Sequence, residues 1–94
     1  GLRCMVIDGI VYLNGTIEVS SISNSTLLFT LPKSMRPNRT KYNMAMMTSS
    51  KGKQVTPLAF FKDGSVYCRT PDGGYPSGKV EIDIPDISYP LVIL

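Results

Sequence analysis

The sequence predicts a single all-β domain: a small antiparallel β-sandwich or jelly-roll-like barrel of seven to eight short strands. Apolar and polar residues alternate with a period of two along several stretches, turn dipeptides punctuate those stretches, and no segment carries a useful 3.6-residue repeat. The chain is 94 residues long, enough for one hydrophobic core and not two. Residues 1–94 are therefore expected to form one domain, of which folding hides roughly 64% of the unfolded accessible area. Hydrophobic residues make up 43% and charged residues 18%, which excludes a disordered polyelectrolyte tail. So low a charge density fits a surface that is covered by a partner.

The first hairpin is signalled by Asp8-Gly9, a two-residue turn that pairs Ile7 with Ile10, Val6 with Val11 and Cys4 with Leu13. The strand that follows sets Val11, Leu13, Gly15, Ile17 and Val19 on one face. Tyr12, Asn14, Thr16, Glu18 and Ser20 fall on the other. Asn14-Gly15 is itself a hairpin signal. A turn there would set Leu13 opposite Thr16 and Val11 opposite Glu18, mixing the faces, so the strand is expected to run through, with Gly15 at a bulge or a close approach.

Ser25, Leu27, Phe29 and Leu31 alternate until Pro32 stops the strand, and residues 33–41 form a basic connection with Pro37 inside it. A Met-rich segment spans residues 42–48, and residues 49–53 make a small polar turn. The runs PLAFFK and SVYCR flank Asp63-Gly64 and predict another hairpin. A two-residue turn there places Ala59, Phe61, Val66 and Cys68 on one face, with Phe60 beside Tyr67 and Leu58 beside Arg69 on the other. Both faces would then need covering. Residues 70–78 form a loop. Val80, Ile82 and Ile84 alternate with Lys79, Glu81 and Asp83 in a strand closed by Pro85, and residues 88–94 form a last strand that Pro90 assigns to an edge.

The sequence contains no His and no Trp. That excludes a Ser-His-Asp or Cys-His machine and a His-ligated zinc site, so no enzyme activity, metal or cofactor is expected. Cys4 and Cys68 are too few for a disulfide scaffold and are expected to act as small apolar residues in the thiol form. The apolar runs all fall short of the roughly 18 residues of a spanning helix, and no membrane insertion is expected. The Asn-X-Ser/Thr triplets at Asn14, Asn24 and Asn38 fit chance in a chain rich in Ser and Thr.

Three clusters are candidates for binding. Arg36, Arg39 and Lys41, flanked by Lys33, Lys51 and Lys53, make a possible anion patch, since no acid occurs between Glu18 and Asp63. The alternative is a solvated loop balanced in space by the later acids. Nucleic-acid readers interleave aromatics with such charges, and only Tyr42 lies nearby, so nucleic acid is disfavoured as a partner. Met44, Met46 and Met47, with Met35 upstream, fit an adaptable binding face or the filling of a core or subunit interface. Tyr67, Arg69, Asp72 and Tyr75 form the candidate saccharide site. Tyr67 or Tyr75 would be the platform for the sugar ring, with Arg69 and Asp72 gripping its hydroxyls. The alternative is an ordinary Gly-rich turn with a packing tyrosine.

The order VYLNGTIEV, LLFTLPKSMRPNRTKY, PLAFFKDGSVYCR and VEIDIPDISY resembles the C-terminal head or tip domains of phage tail-fibre and baseplate receptor-binding proteins, of the type carried by siphophages of Gram-positive bacteria. The residues that carry the likeness are Leu31-Pro32, Arg36-Pro37, the Asp63-Gly64 hairpin and the late Ile87 to Tyr89 strand. The resemblance implies a homotrimeric head at the end of a longer fibrous chain, assembled in the host cytoplasm and carried on the virion. It implies as partners a bacterial cell-envelope saccharide and other tail proteins. Such heads often place Trp and His near the hairpin, whereas Pro57, Ala59, Cys68 and Arg69 stand here, so the resemblance transfers no binding residue. Two other functions remain open: a structural trimerisation or docking domain without glycan binding, and a small nucleic-acid-binding β-barrel.

Overall fold

Residues 1–91 are described by a computed structural model, in which seven antiparallel strands join edge to edge in one sheet. The strands are β1 (Leu2–Ile7), β2 (Ile10–Val19), β3 (Leu27–Thr30), β4 (Lys41–Ser49), β5 (Gly52–Phe60), β6 (Ser65–Cys68) and β7 (Val80–Pro90). A single 3-10 turn, Lys33–Met35, follows β3. Their spatial order is β1-β2-β7-β4-β5-β6-β3. The all-β expectation holds, but the two stacked layers of a sandwich are replaced by one sheet that curls into a half-barrel. A twisted sheet with neither helix nor second sheet against it buries its apolar face by closing over itself.

The concave side holds the core, built from Val11 and Leu13 of β2, Met47 of β4, Leu58 and Phe60 of β5, and the alternating isoleucines of β7. The connection after β3 crosses the mouth of the curl. Met35 brings its sulfur to 3.1 Å from the Cys4 thiol on β1, and its carbonyl accepts a hydrogen bond from the Tyr89 hydroxyl on β7. Three elements distant in sequence are thereby tied together over the open side.

The first hairpin has the register expected from Asp8-Gly9, with Ile7 opposite Ile10, Val6 opposite Val11 and Cys4 opposite Leu13. Asp8 and Gly9 both take positive φ, 51° and 74°, as a type I′ turn requires. Strand β2 also runs through Gly15, and the ladder is irregular there. The extra residue belongs to the partner strand: Leu13 faces Ile87 and Gly15 faces Ile84, so Pro85 and Asp86 together oppose Asn14. This bulge corrects the expectation that Pro85 closes a strand. A bulged position needs no ladder N–H, so Pro85 is tolerated and β7 continues to Pro90. The bulge also turns Pro85 and Asp86 both outward while Ile84 and Ile87 stay buried. Residues 92–94 of the predicted last strand lie outside the described residues.

The second hairpin differs from its expected register by one residue. Phe60 faces Val66, Ala59 faces Tyr67 and Leu58 faces Cys68. Phe61 N–H donates to the Ser65 carbonyl and Gly64 N–H to the Phe61 carbonyl, both at 2.9 Å. The loop is therefore Lys62, Asp63 and Gly64, with Gly64 at φ 93°, the left-handed position of a three-residue turn. A one-residue slip exchanges the faces. Leu58, Phe60, Val66 and Cys68 point into the core, and Phe61, Tyr67 and Arg69 point out.

Candidate functional site

The outer face of β5 and β6 brings together two of the residues expected to bind saccharide. The Phe61 and Tyr67 rings meet edge to face, with centroids 5.9 Å apart and an interplanar angle of 72°. The Arg69 guanidinium carbon lies 5.4 Å from the Phe61 centroid, within range of a cation–π contact. Leu27 on β3 faces Tyr67 across the ladder and is exposed. The result is an aromatic surface with a cation held against it. Phe61 is the member the two-residue turn reading assigned to the wrong face. A Gly one residue past an Asp, as the third residue of a longer loop, is the signal that would have placed it.

Asp72 and Tyr75 are held elsewhere. Beyond β6 the chain keeps bonding to β5: Arg69 N–H donates to the Pro57 carbonyl at 2.8 Å and Asp72 N–H to the Val55 carbonyl at 2.9 Å. Gln54, 8% exposed, donates its side-chain amide to the carbonyls of Asp72 and Gly74 at 2.9 and 2.7 Å. Lys51 Nζ donates to the Gly73 carbonyl at 2.9 Å. The Asp72 side chain stays exposed on this pinned loop. The Tyr75 hydroxyl donates to the Cys68 carbonyl at 2.9 Å, and its ring packs against the core. Tyr67 and Arg69 thus share a surface, and Tyr75 faces the other side of the sheet.

The three basic residues of the expected anion patch also separate. Arg36 Nε donates to the Leu31 carbonyl at 3.2 Å, beside the β5–β6 turn. Two hydrogen bonds from Ser65, helped by the Arg36 charge, hold the Asp63 carboxyl below its ordinary value. Arg39 and Lys41 line a different concavity, about 410 Å³, together with Tyr89 and Pro90.

Both cysteines are free thiols and lie apart, Cys4 beside Met35 and Cys68 beside Thr56. Burial pushes both thiols up from their ordinary value, and the Thr56 hydrogen bond opposes this at Cys68. A raised thiol stays protonated, which is the reverse of what a nucleophile needs. Burial, with the neighbouring Cys4 charge, pushes the Tyr89 hydroxyl up to about 12. Among the described residues no group of three or more His, Cys, Asp and Glu side chains is placed to hold a metal ion.

Alternation along β4 buries Met47 and turns Tyr42, Met44 and Met46 outward. Tyr42 and Met44 are 60% and 54% exposed, and with Val55 of β5 they form an apolar stripe on the convex face. Pairing of β4 with β7 ends at Met46 and Asp83, just before Pro85. The strands part there around a concavity of about 600 Å³ lined by Met44, Met46, Val55 and Pro85. A further concavity opens on the outer side of β1, β2 and β7. Comparison with protein-family models, curated proteins and solved structures finds no match.

Proposed function

We propose that the chain is a non-catalytic adhesion domain that recognises a bacterial cell-envelope saccharide, presented as a trimeric head on a phage tail tip. The observation that carries this reading is the outward cluster of Phe61, Tyr67 and Arg69. Apolar ring faces stack on the C–H face of a sugar, and a guanidinium donates to its hydroxyls in a fixed fork. The wider outer surface supports the reading, because it exposes Met5, Tyr12, Tyr42, Met44 and Val55. The sequence resemblance to tail-tip heads supports it independently. Three weak sites on one trimer would gain affinity by avidity.

The test is adsorption of the purified chain to isolated Gram-positive cell envelopes. Adsorption should be displaced by free envelope saccharide and persist when salt is raised, because neutral-sugar contacts release no counterions. Adsorption that fades steeply with salt and ignores the saccharide would contradict the reading.

The stripe of Tyr42, Met44, Met46 and Val55 favours a second reading, a docking or trimerisation domain without a glycan ligand. Light scattering coupled to size exclusion gives the assembly state, about three times 10.3 kDa for a trimer. Envelope adsorption separates the two readings.

A further inference from the structure

The outer side of β1, β2 and β7 carries two adjacent cross-strand rows of different chemistry. In one row Met5 faces Tyr12, which faces Ser88. In the next, Arg3 faces Asn14, and Asp86 of β7 meets Asn14 from the far side, one step beyond the Leu13–Ile87 pair. Asn14 Nδ2 donates to Asp86 Oδ1 at 2.8 Å. With Ile7 at one end, these side chains line a concavity of about 480 Å³, inside the ordinary range for small-molecule sites.

We propose that this groove is a binding site for one uncharged six-membered sugar ring. The proposal rests on the saccharide-adhesion reading and adds to the Phe61, Tyr67 and Arg69 cluster a second sugar subsite on another part of the outer surface.

The dimensions, chemistry and charge agree. Three neighbouring strands span about 10 Å and two rows on one face span about 7 Å, the footprint of a single pyranose with its hydroxyls. Tyr12 is 42% exposed and Met5 51% exposed, so the apolar row offers a partly uncovered aromatic surface for the C–H face of a ring. The neighbouring row offers donors from Arg3 and acceptors from Asp86 and the Asn14 amide, which are what vicinal hydroxyls require. Asp86 Oδ1 is engaged by Asn14, which fixes the carboxylate while its second oxygen keeps lone pairs for a hydroxyl. Arg3 and Asp86 carry opposite charges, so this pair gives the groove no net charge that would favour an ion over a neutral ring.

The bulge borders the site rather than building it. Asp86 follows in register from the Tyr12–Ser88 and Leu13–Ile87 pairs, and Pro85 is the extra residue before the ladder resumes at Gly15 and Ile84. Bulges re-aim side chains beside functional sites. No periodicity in the sequence would bring Asp86 to Asn14, 72 positions away.

The experiment uses the isotopically labelled chain titrated with the methyl glycosides of glucose, galactose and N-acetylglucosamine, followed by amide chemical shifts. At least one glycoside should move Met5, Tyr12, Asn14, Asp86 and Ser88 together. Tyr12→Ser and Asp86→Ala should each weaken binding by about tenfold or more, as expected for loss of a central contact. Both residues project from the surface, and unchanged shifts elsewhere would verify the fold; if Tyr12→Ser unfolds the chain, Asp86→Asn gives the same test without altering volume. Shifts that cluster on Phe61, Tyr67 and Arg69 instead would overturn the groove and leave saccharide recognition standing. No shift with any glycoside would also overturn the groove. Envelope adsorption measured beside it then shows whether the adhesion reading falls too.

Discussion

Replacing Gly15 with Ala tests how β1 is seated, because β2 meets the start of β1 there with no room for a side chain. Gly15 sits at φ +140°, and a Cβ on it would lie 2.2 Å from the Gly1 carbonyl oxygen and 2.7 Å from the Leu2 Cα. Both are backbone atoms, so no rotamer change relieves the clash. The conformation alone disfavours alanine by about 1–3 kcal/mol. Relief requires lifting the first residues of β1, which breaks the Thr16 N–H to Gly1 carbonyl bond of 3.3 Å and uncovers the half-buried Leu2. Those losses add about 1–2 kcal/mol, for an expected total of about 2–5 kcal/mol. A domain of this size has about 5–14 kcal/mol to lose. Gly9→Ala is the control: Gly9 is at φ +74° with open space around it, so only the left-handed conformation counts, about 1–2 kcal/mol. Urea unfolding followed by circular dichroism reads both. With a slope of about 1 kcal/mol per molar urea, Gly15→Ala should move the midpoint down by about 2 M or more. Its loss should exceed that of Gly9→Ala by about 1 kcal/mol or more. Equal losses for the two variants would refute the close approach.

Other outcomes follow from the packing and the ionisable groups. Phe60 is fully buried at the centre of the curl, and Phe60→Ala should cost about 3–5 kcal/mol in the same urea assay. Thr56→Val removes a buried hydroxyl that donates to the Arg69 carbonyl at 2.9 Å; a loss of about 1–2 kcal/mol is expected, since the Cys68 thiol also reaches that carbonyl. Tyr89 is shifted upward to about 12, so its stabilisation is complete below the ordinary tyrosine value near 10 and is lost as pH rises toward 12. Two units correspond to about 2.7 kcal/mol, and solvent screening lowers the expected loss to about 1–2 kcal/mol. Cys4 and Cys68 act in the same direction above their ordinary value of 9.0. Stability against urea between pH 8 and about 11.5 should fall, and fall less steeply in Tyr89→Phe. Arg69→Ala should weaken envelope adsorption without changing the assembly mass.

The elements legible in the sequence were those whose information is local. Asp8-Gly9 sets its hairpin because both residues accept positive φ, and nine residues of alternation outweighed Asn14-Gly15 because a turn there would have mixed the two faces of β2. Where a single position decided a register, local pattern failed. Lys62-Asp63-Gly64 closes a three-residue loop, and that one residue puts Phe61 on the same face as Tyr67 and Arg69. Pro85 reads locally as a strand end, yet it is accommodated by a bulge that exists only because β2 lies alongside. Stacked sheets and one curled sheet share the same alternation, so the choice between them depends on which strands become neighbours. The candidate site was legible in half: Tyr67 and Arg69 share a surface, while Tyr75 closes back on Cys68. Alternation puts Tyr12 and Asn14 together on the face opposite Val11 and Leu13, but nothing local distinguishes them until Asp86 arrives across the sheet.

The central claim is saccharide recognition, and binding of the folded chain to an immobilised panel of bacterial envelope glycans tests it most directly. The account predicts retention on a subset of neutral glycans, with little change on going from low to high salt. Retention on no glycan, or only on polyanions with a steep loss as salt rises, would contradict it.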